Sequence, residues 1–127
     1  MINKVAVYGS LREGFGNHRI LEGSDKLGTH WVSGYEMFSL GAFPGVRKGN
    51  THVFTEVYEV DADTMRRLDI LEGYGGESEA NFYDRTEVNT PYGDAFMYTL
   101  EGHRYKQSEL VSSGNWAHFK TKLKDLI

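Results

Sequence analysis

Cysteine is absent from the 127 residues. That one absence excludes a thiol nucleophile, a disulfide framework and a thiolate metal site. Basic charge is not in excess either: 14 Lys and Arg face 18 Asp and Glu, for a net charge of -4. The chain therefore lacks the electrostatic footprint that gathers nucleic acid, and no nucleic-acid partner is expected. Long apolar runs are missing as well. Asn3 and Lys4 interrupt the first one, which leaves no core for a signal peptide and no stretch for a membrane span. The expectation is a soluble, cytoplasmic protein with no membrane partner. No repeat, low-complexity run or linker is found, so residues 1–127 are read as a single domain. The five histidines (His18, His30, His52, His103, His118) show no ligand spacing, and neither a metal nor another cofactor is expected.

What is present is a folding sequence, rich in aromatic residues and ordinary in charge. Val5 to Tyr8 is a short apolar run ending at Gly9, which suits a buried strand. Gly9 to Gly16 reads as a loop, with Asn17 capping a short helix that carries Ile20 and Leu21. Leu27 to Leu40 reads as strand, with bends or bulges at Gly34 and Gly41. Phe43-Pro44-Gly45 reads as a turn and Thr51 to Val60 as a strand. Asp61 is placed to cap a helix over 62–71, which Gly73 ends. Phe82 to Leu100 reads as a hairpin turning at Thr90 to Gly93. A last helix sets Trp116, Phe119, Leu123 and Leu126 on one face. The fold class is α+β: a mixed, mostly antiparallel β-barrel with short flanking helices.

Glu72 stands out. Met65 and Leu68 define the apolar stripe of the helix after Asp61, and Glu72 falls seven and four residues further along the same stripe. A carboxylate facing a core costs several kcal/mol unless it is paired, hydrogen-bonded or neutralised. Burial and the negative end of the helix dipole would both raise its pKa. A carboxyl poised near neutral pH can take a proton in one step and return it in the next. Two ordinary readings stand beside this one. Glu72 pairs with Arg85 or Arg12, or the helix frays at Gly73 and lets it into solvent. Glu56 is a second carboxylate on an apolar face, either a second site group or, the preferred reading, the buried partner of an arginine. Arg66 and Arg67 are read as a solvated helix face.

Tyr8-Gly9-Ser10-Leu11 follows the first strand and opens a glycine-spaced loop. Glycine at the bend lets backbone N–H groups converge on an anion, and Ser10 adds a hydroxyl donor. A P-loop ending and a dinucleotide fingerprint are both missing, as is the Gly-x-Ser-x-Gly elbow of a serine nucleophile. A simple turn is the alternative reading.

Taken in order, these pieces resemble the γ-glutamyl cyclotransferase-like family, and within it the small single-domain branch that includes γ-glutamylamine cyclotransferases. The pieces are Val7-Tyr8-Gly9-Ser10-Leu11-Arg12, Asn17-His18, Gly41-Ala42-Phe43-Pro44, Glu56 to Asp61, Leu68 to Gly73, Tyr83-Asp84-Arg85 and Ser113-Gly114-Asn115-Trp116. The resemblance implies a mixed β-barrel acting on a small-molecule γ-glutamyl substrate. It implies that Tyr8, Gly9, Ser10 and Leu11 hold the glutamyl head group, that Glu72 is the general acid/base, and that Tyr83 and Arg85 support the site. It further implies an intramolecular attack of the α-amine on the γ-carbonyl, releasing an amine and 5-oxoproline. The alternative is a non-catalytic module that binds a carboxylate-bearing metabolite. The segment Gly75 to Ala80 is longer and more acidic than the family pattern; if it lines the mouth it would favour a cationic leaving amine, and a solvated loop is the preferred alternative reading. The oligomeric state is left open.

Overall fold

The computed structural model describes residues 2–76, 79–101 and 110–119. Six strands form one mixed sheet: β1 (Lys4–Val7), β2 (Asp25–Ser39), β3 (Pro44–Glu59), β4 (Asp84–Thr90), β5 (Gly93–Thr99) and β6 (Leu110–Val111). Their order across the sheet is β4-β5-β1-β3-β2-β6. The pairings are antiparallel except for β1 against β5, which run parallel. The sheet curls into a half-barrel. Residues His30 to Ser33 and Tyr35 of β2 and Glu87 to Asn89 of β4 line one hollow, although the two strands are not neighbours in the ladder. The Tyr92 hydroxyl in the β4–β5 turn donates to the Thr29 carbonyl at 3.3 Å across the same gap.

The central position of β1 follows from its composition. Val5, Ala6 and Val7 are branched or small residues that pack on both faces of a pleated sheet, and all three are buried. Val5 and Val7 join Phe38, Tyr58, Leu68 and Leu100 on one side. Ala6 and Tyr8 join Val57, Met97, Val111 and Trp116 on the other. β2 and β3 form a long hairpin whose register shifts at Lys26/Gly28 and at Ser33/Tyr35. The second shift is at Gly34, whose φ of 85° is left-handed and suits glycine.

The turn expected at Phe43-Pro44-Gly45 lies earlier. Leu40 N donates to Phe43 O at 2.8 Å, and Pro44 and Gly45 already belong to β3. Proline is acceptable there because the first residue of a strand can do without a ladder N–H. β3 is accordingly longer than the Thr51–Val60 segment.

Helix α1 (Ala62–Glu72) begins and ends where its capping residues place it. The Asp61 carboxylate accepts from Thr64 N at 2.7 Å, and Gly73 closes the helix in a left-handed conformation, φ 69°. Leu68 is fully buried and anchors the helix to the sheet. Asp63 pairs with Arg66 and Arg67 on the solvent side. The short helix after Asn17 is a 3-10 turn, His18–Leu21, and the Asn17 side chain does not cap it. At the other end, Trp116 is buried with Phe119 stacked on it, ring centroids 5.3 Å apart. Leu123 and Leu126 lie outside the described residues. Among the described residues no helix is long and apolar enough to cross a membrane.

Candidate functional site

The chain leaves β1 through Tyr8 and turns at once. Gly9 O accepts from Arg12 N, and Ser10 O accepts from Asn17 N, each at 3.0 Å. Among the described residues the N–H groups of Gly9, Ser10 and Leu11 donate to no protein acceptor, so the turn presents donors. Gly9 is not left-handed. Its requirement is a close approach, since a Cβ there would lie 2.8 Å from Pro44 Cγ. Asn17 Nδ2 donates to Ser10 Oγ at 2.9 Å. With a lone pair occupied in this way, the Ser10 hydroxyl keeps its own proton for another acceptor.

The back of the turn is held by a buried ion pair. Arg12 Nε donates to Glu56 Oε2 at 3.1 Å. Glu56 Oε1 accepts from Glu13 N at 3.0 Å and from the Tyr58 hydroxyl at 2.9 Å. Arg12 Nη1 also reaches Asn115 Oδ1 at 3.0 Å. Glu56 is thus the arginine partner its position suggested.

A cavity of about 390 Å³ lies in front of the turn. Tyr8, Gly9, Ser10 and Leu11 line one side and Glu72 the other. All five residues singled out in the sequence therefore share one hollow. Glu72 is the last residue of α1, four residues after buried Leu68. Its backbone is fixed there, for Tyr83 N donates to Glu72 O at 3.1 Å and Phe82 N to Gly73 O at 3.0 Å. Those two bonds join the end of α1 to the chain that leads into β4. Glu79 is exposed and does not line the cavity, while Glu77 and Ser78 lie outside the described residues.

The Glu72 side chain is half-buried and, among the described residues, makes no ion pair or side-chain hydrogen bond. Both arginines that could have neutralised it are engaged elsewhere. Arg12 is held by Glu56, and Arg85 Nη1 reaches Asp69 Oδ1 and Oδ2 at 3.0 and 2.8 Å. Withdrawal from water, with no counter-charge to offset it, pushes the Glu72 carboxyl up to about 7.

Three tyrosines complete the floor. Tyr8 donates to Tyr98 O at 2.9 Å, Tyr83 to Pro44 O at 2.7 Å, and Tyr98 to Asp69 Oδ1 at 2.7 Å. Burial raises the Tyr8 hydroxyl well above its usual value, with Tyr83 and Glu72 adding to it. Burial also raises Tyr98, reinforced by its bond to Asp69 and by the Glu72 charge. Both stay protonated at neutral pH. Arg85 does not line the cavity, but Asp69 joins it to Tyr98, which does. Tyr98 and Asn17 were not among the expected site residues. A strand tyrosine is ordinarily a core ring, and nothing in its spacing distinguishes one that borders a hollow. Asn17 reads locally as a helix cap.

Among the described residues no group of three or more His, Asp or Glu side chains is arranged to hold a metal. The cavity offers backbone and hydroxyl donors on one wall, a carboxyl titrating near neutrality on the other, and aromatic rings between. That arrangement can grip a small anionic head group and move a proton beside it.

Comparison with known proteins points the same way. The profile of the family described as gamma-glutamyl cyclotransferase, AIG2-like, matches residues 5–118. The gamma-glutamylcyclotransferase family protein YtfP of Escherichia coli K12 is 38% identical over 113 residues, covering 89% of this chain and 95% of that protein. The gamma-L-glutamyl-butirosin B gamma-glutamyl cyclotransferase of Niallia circulans is 36% identical over 118 residues, 90% of this chain and 75% of that one. Among solved structures, an uncharacterized protein of Pyrococcus horikoshii superposes with a TM-score of 0.81 at 29% identity, covering 98% of each chain.

Proposed function

This chain belongs to the gamma-glutamyl cyclotransferase, AIG2-like family, and from that premise we propose that it releases 5-oxoproline from γ-glutamyl amines, with Glu72 as general acid/base. The observation that carries the reading is the lone carboxyl of Glu72, raised to about 7, across the cavity from the Tyr8–Leu11 turn.

The substrate supplies its own nucleophile. The α-amine attacks the γ-carbonyl, a C–N bond closes the five-membered lactam, and the γ-amide C–N bond breaks. In net balance the α-ammonium loses two protons and ends as a lactam N–H. The amide nitrogen gains two and leaves as an ammonium. Water is not consumed. Glu72 accepts a proton from the α-ammonium, which frees the lone pair that attacks. It then delivers a proton to the departing nitrogen, and the remaining proton crosses by exchange with solvent.

The turn residues hold the head group. The N–H groups of Gly9, Ser10 and Leu11, with the Ser10 hydroxyl, face the α-carboxylate and fix the chain in the folded attack geometry. Orientation of this kind is worth about 7–11 kcal/mol of the barrier. Positioned proton transfer adds roughly 10²–10⁴ in rate. Tyr8, Tyr83 and Tyr98 have committed their hydroxyl protons to protein oxygens, so they shape the floor and leave the titration to Glu72.

The deciding experiment follows 5-oxoproline from a panel of γ-glutamyl amines with wild type and Glu72→Gln side by side. The reading expects turnover by wild type and a loss of about 10²–10⁴ in the variant, with binding of the γ-glutamyl compound kept. Near-normal turnover by Glu72→Gln removes Glu72 from the role. Binding without turnover in wild type replaces the enzyme by a module that holds a carboxylate-bearing metabolite.

A further inference from the structure

We propose that the mouth of this cavity is a subsite for an apolar, and best an aromatic, group on the departing amine. The inference rests on the function proposed above and names the substrate class of the same site.

The two ends of the cavity differ in chemistry. At the floor Tyr8, Tyr83 and Tyr98 are buried. At the mouth Leu71, Phe43 and Phe82 line the cavity while remaining 42%, 36% and 50% exposed. The Phe43 and Phe82 rings meet at a steep angle, centroids 6.2 Å apart, and Phe82 meets Tyr83 the same way at 5.2 Å. An aromatic wall thus runs from solvent to floor. Single exposed apolar residues are ordinary, but three converging on one hollow gain from a ligand that covers them.

Each of these residues is placed by fixed backbone. Phe43 closes the turn through the Leu40 N to Phe43 O bond, at 2.8 Å. Leu71 stands in the last turn of α1, next to Glu72. Phe82 is pinned by its N–H on Gly73 O at 3.0 Å. The subsite is formed before ligand arrives, as small-molecule sites mostly are.

Charge narrows the class further. Among the described residues that line the cavity, Glu72 alone is ionisable as an acid or base of ordinary strength; the rest are apolar, amide, hydroxyl or phenol. Among the described residues, Phe43, Leu71 and Phe82 at the mouth offer no counter-charge for a lysine side chain. A head group gripped at the Gly9–Leu11 turn, with its γ-amide at Glu72, sends its amine substituent out past Leu71, Phe43 and Phe82.

The test compares γ-glutamyl-phenylalanine, γ-glutamyl-alanine and γ-glutamyl-ε-lysine on wild type by 5-oxoproline release. The phenylalanine compound should exceed the alanine compound in kcat/KM by about 10-fold or more, chiefly through KM. In Phe82→Ala, with folding checked by thermal melting, that ratio should fall towards one, and Phe82→Leu should keep part of it. Equal kcat/KM for the phenylalanine and alanine compounds on wild type, or a preference for lysine, overturns the subsite and leaves the cyclotransferase reading intact. If none of the three yields 5-oxoproline, the cyclotransferase reading is removed and binding by calorimetry judges the subsite. Binding of γ-glutamyl-phenylalanine about 10-fold tighter than γ-glutamyl-alanine then supports the subsite, and equal binding overturns it.

Discussion

Arg12 and Glu56 form a buried ion pair, Nε to Oε2 3.1 Å, directly behind the turn that faces the cavity. The pair has two effects. It locks the turn to β3, and it commits one of the two guanidinium groups that the sequence offers as partners for Glu72. Each partner has further bonds: Asn115 for the arginine, Glu13 N and the Tyr58 hydroxyl for the glutamate. Removing one member strands the other in low dielectric. Glu56→Ala should therefore cost about 3–5 kcal/mol in urea denaturation. The double variant Glu56→Ala with Arg12→Met should lose less than the sum of the two single changes. The exposed pair of Arg66 with Asp63 is the control, and Arg66→Ala should cost about 0–1 kcal/mol. Equal costs at the two sites would refute the role given to burial.

Glu72 should make the fold less stable as pH rises, which reverses the usual carboxylate behaviour. Its folded pKa is raised to about 7 from the model-peptide range. Between those values the folded protein binds more protons than the unfolded chain, so stability falls as pH rises through that window. Below it the penalty is absent; above it the penalty is complete. Glu72→Gln carries no charge at any pH. It should melt above wild type at pH 8, by on the order of 1 kcal/mol once the half-open carboxyl is discounted for solvent screening. At pH 4 the two proteins should melt together. A difference that does not change with pH would mean that the carboxyl is not strained by burial.

Residues with strong local rules were legible in the sequence. Asp61 and Gly73 bracket α1 because capping is decided within one turn of chain. Glu72 was legible as a candidate because a helix repeats its faces, which sets a carboxylate four residues after Leu68 on the apolar stripe; whether it paired with an arginine or frayed into solvent was not. Glu56 was legible for the same reason on a strand. What depended on distant chain was not. The parallel contact of β1 with β5 and the two-residue β6 carry no local signal, and β3 was cut short because Pro44-Gly45 satisfies every rule for a turn. Pro44 has its role through Gly9, residues apart in sequence but touching in the fold. Tyr98 reads in the sequence as an ordinary core ring, because strand spacing does not distinguish a packed interior from a hollow one.

That contact makes Gly9 sensitive to a single methyl group. Gly9→Ala would set Cβ 2.8 Å from Pro44 Cγ and 2.9 Å from Cδ, closer than real Cβ atoms approach. The proline ring cannot swing aside as a flexible chain would, so the turn or the start of β3 must shift. The cost should be about 1–3 kcal/mol by chemical denaturation. Gly16→Ala, in the same loop, meets nothing within 4 Å and is not left-handed. It should be neutral or stabilising by about 0.4–1 kcal/mol. If both changes cost the same, loop flexibility rather than close approach explains Gly9.

The pH dependence of turnover separates Glu72 from the substrate. The free enzyme must present an ionised Glu72 to an α-ammonium, so kcat/KM should climb tenfold per pH unit on its acid limb and level near 7, the value to which burial pushes the carboxyl. The alkaline limb belongs to the substrate, whose α-amine sits beside a free α-carboxylate and so titrates above the roughly 7.7–8.0 of a peptide amino terminus. Once that amine is neutral, the proton destined for the departing nitrogen is missing from the encounter. Modifying the substrate near its α-amine should therefore move the alkaline limb and leave the acid limb in place. Changing the departing amine should move neither, because that nitrogen is still an amide when substrate binds. An acid limb near 4.5 would show that the carboxyl governing turnover is an ordinary solvated one, and Glu72 in its sheltered position would not be that group.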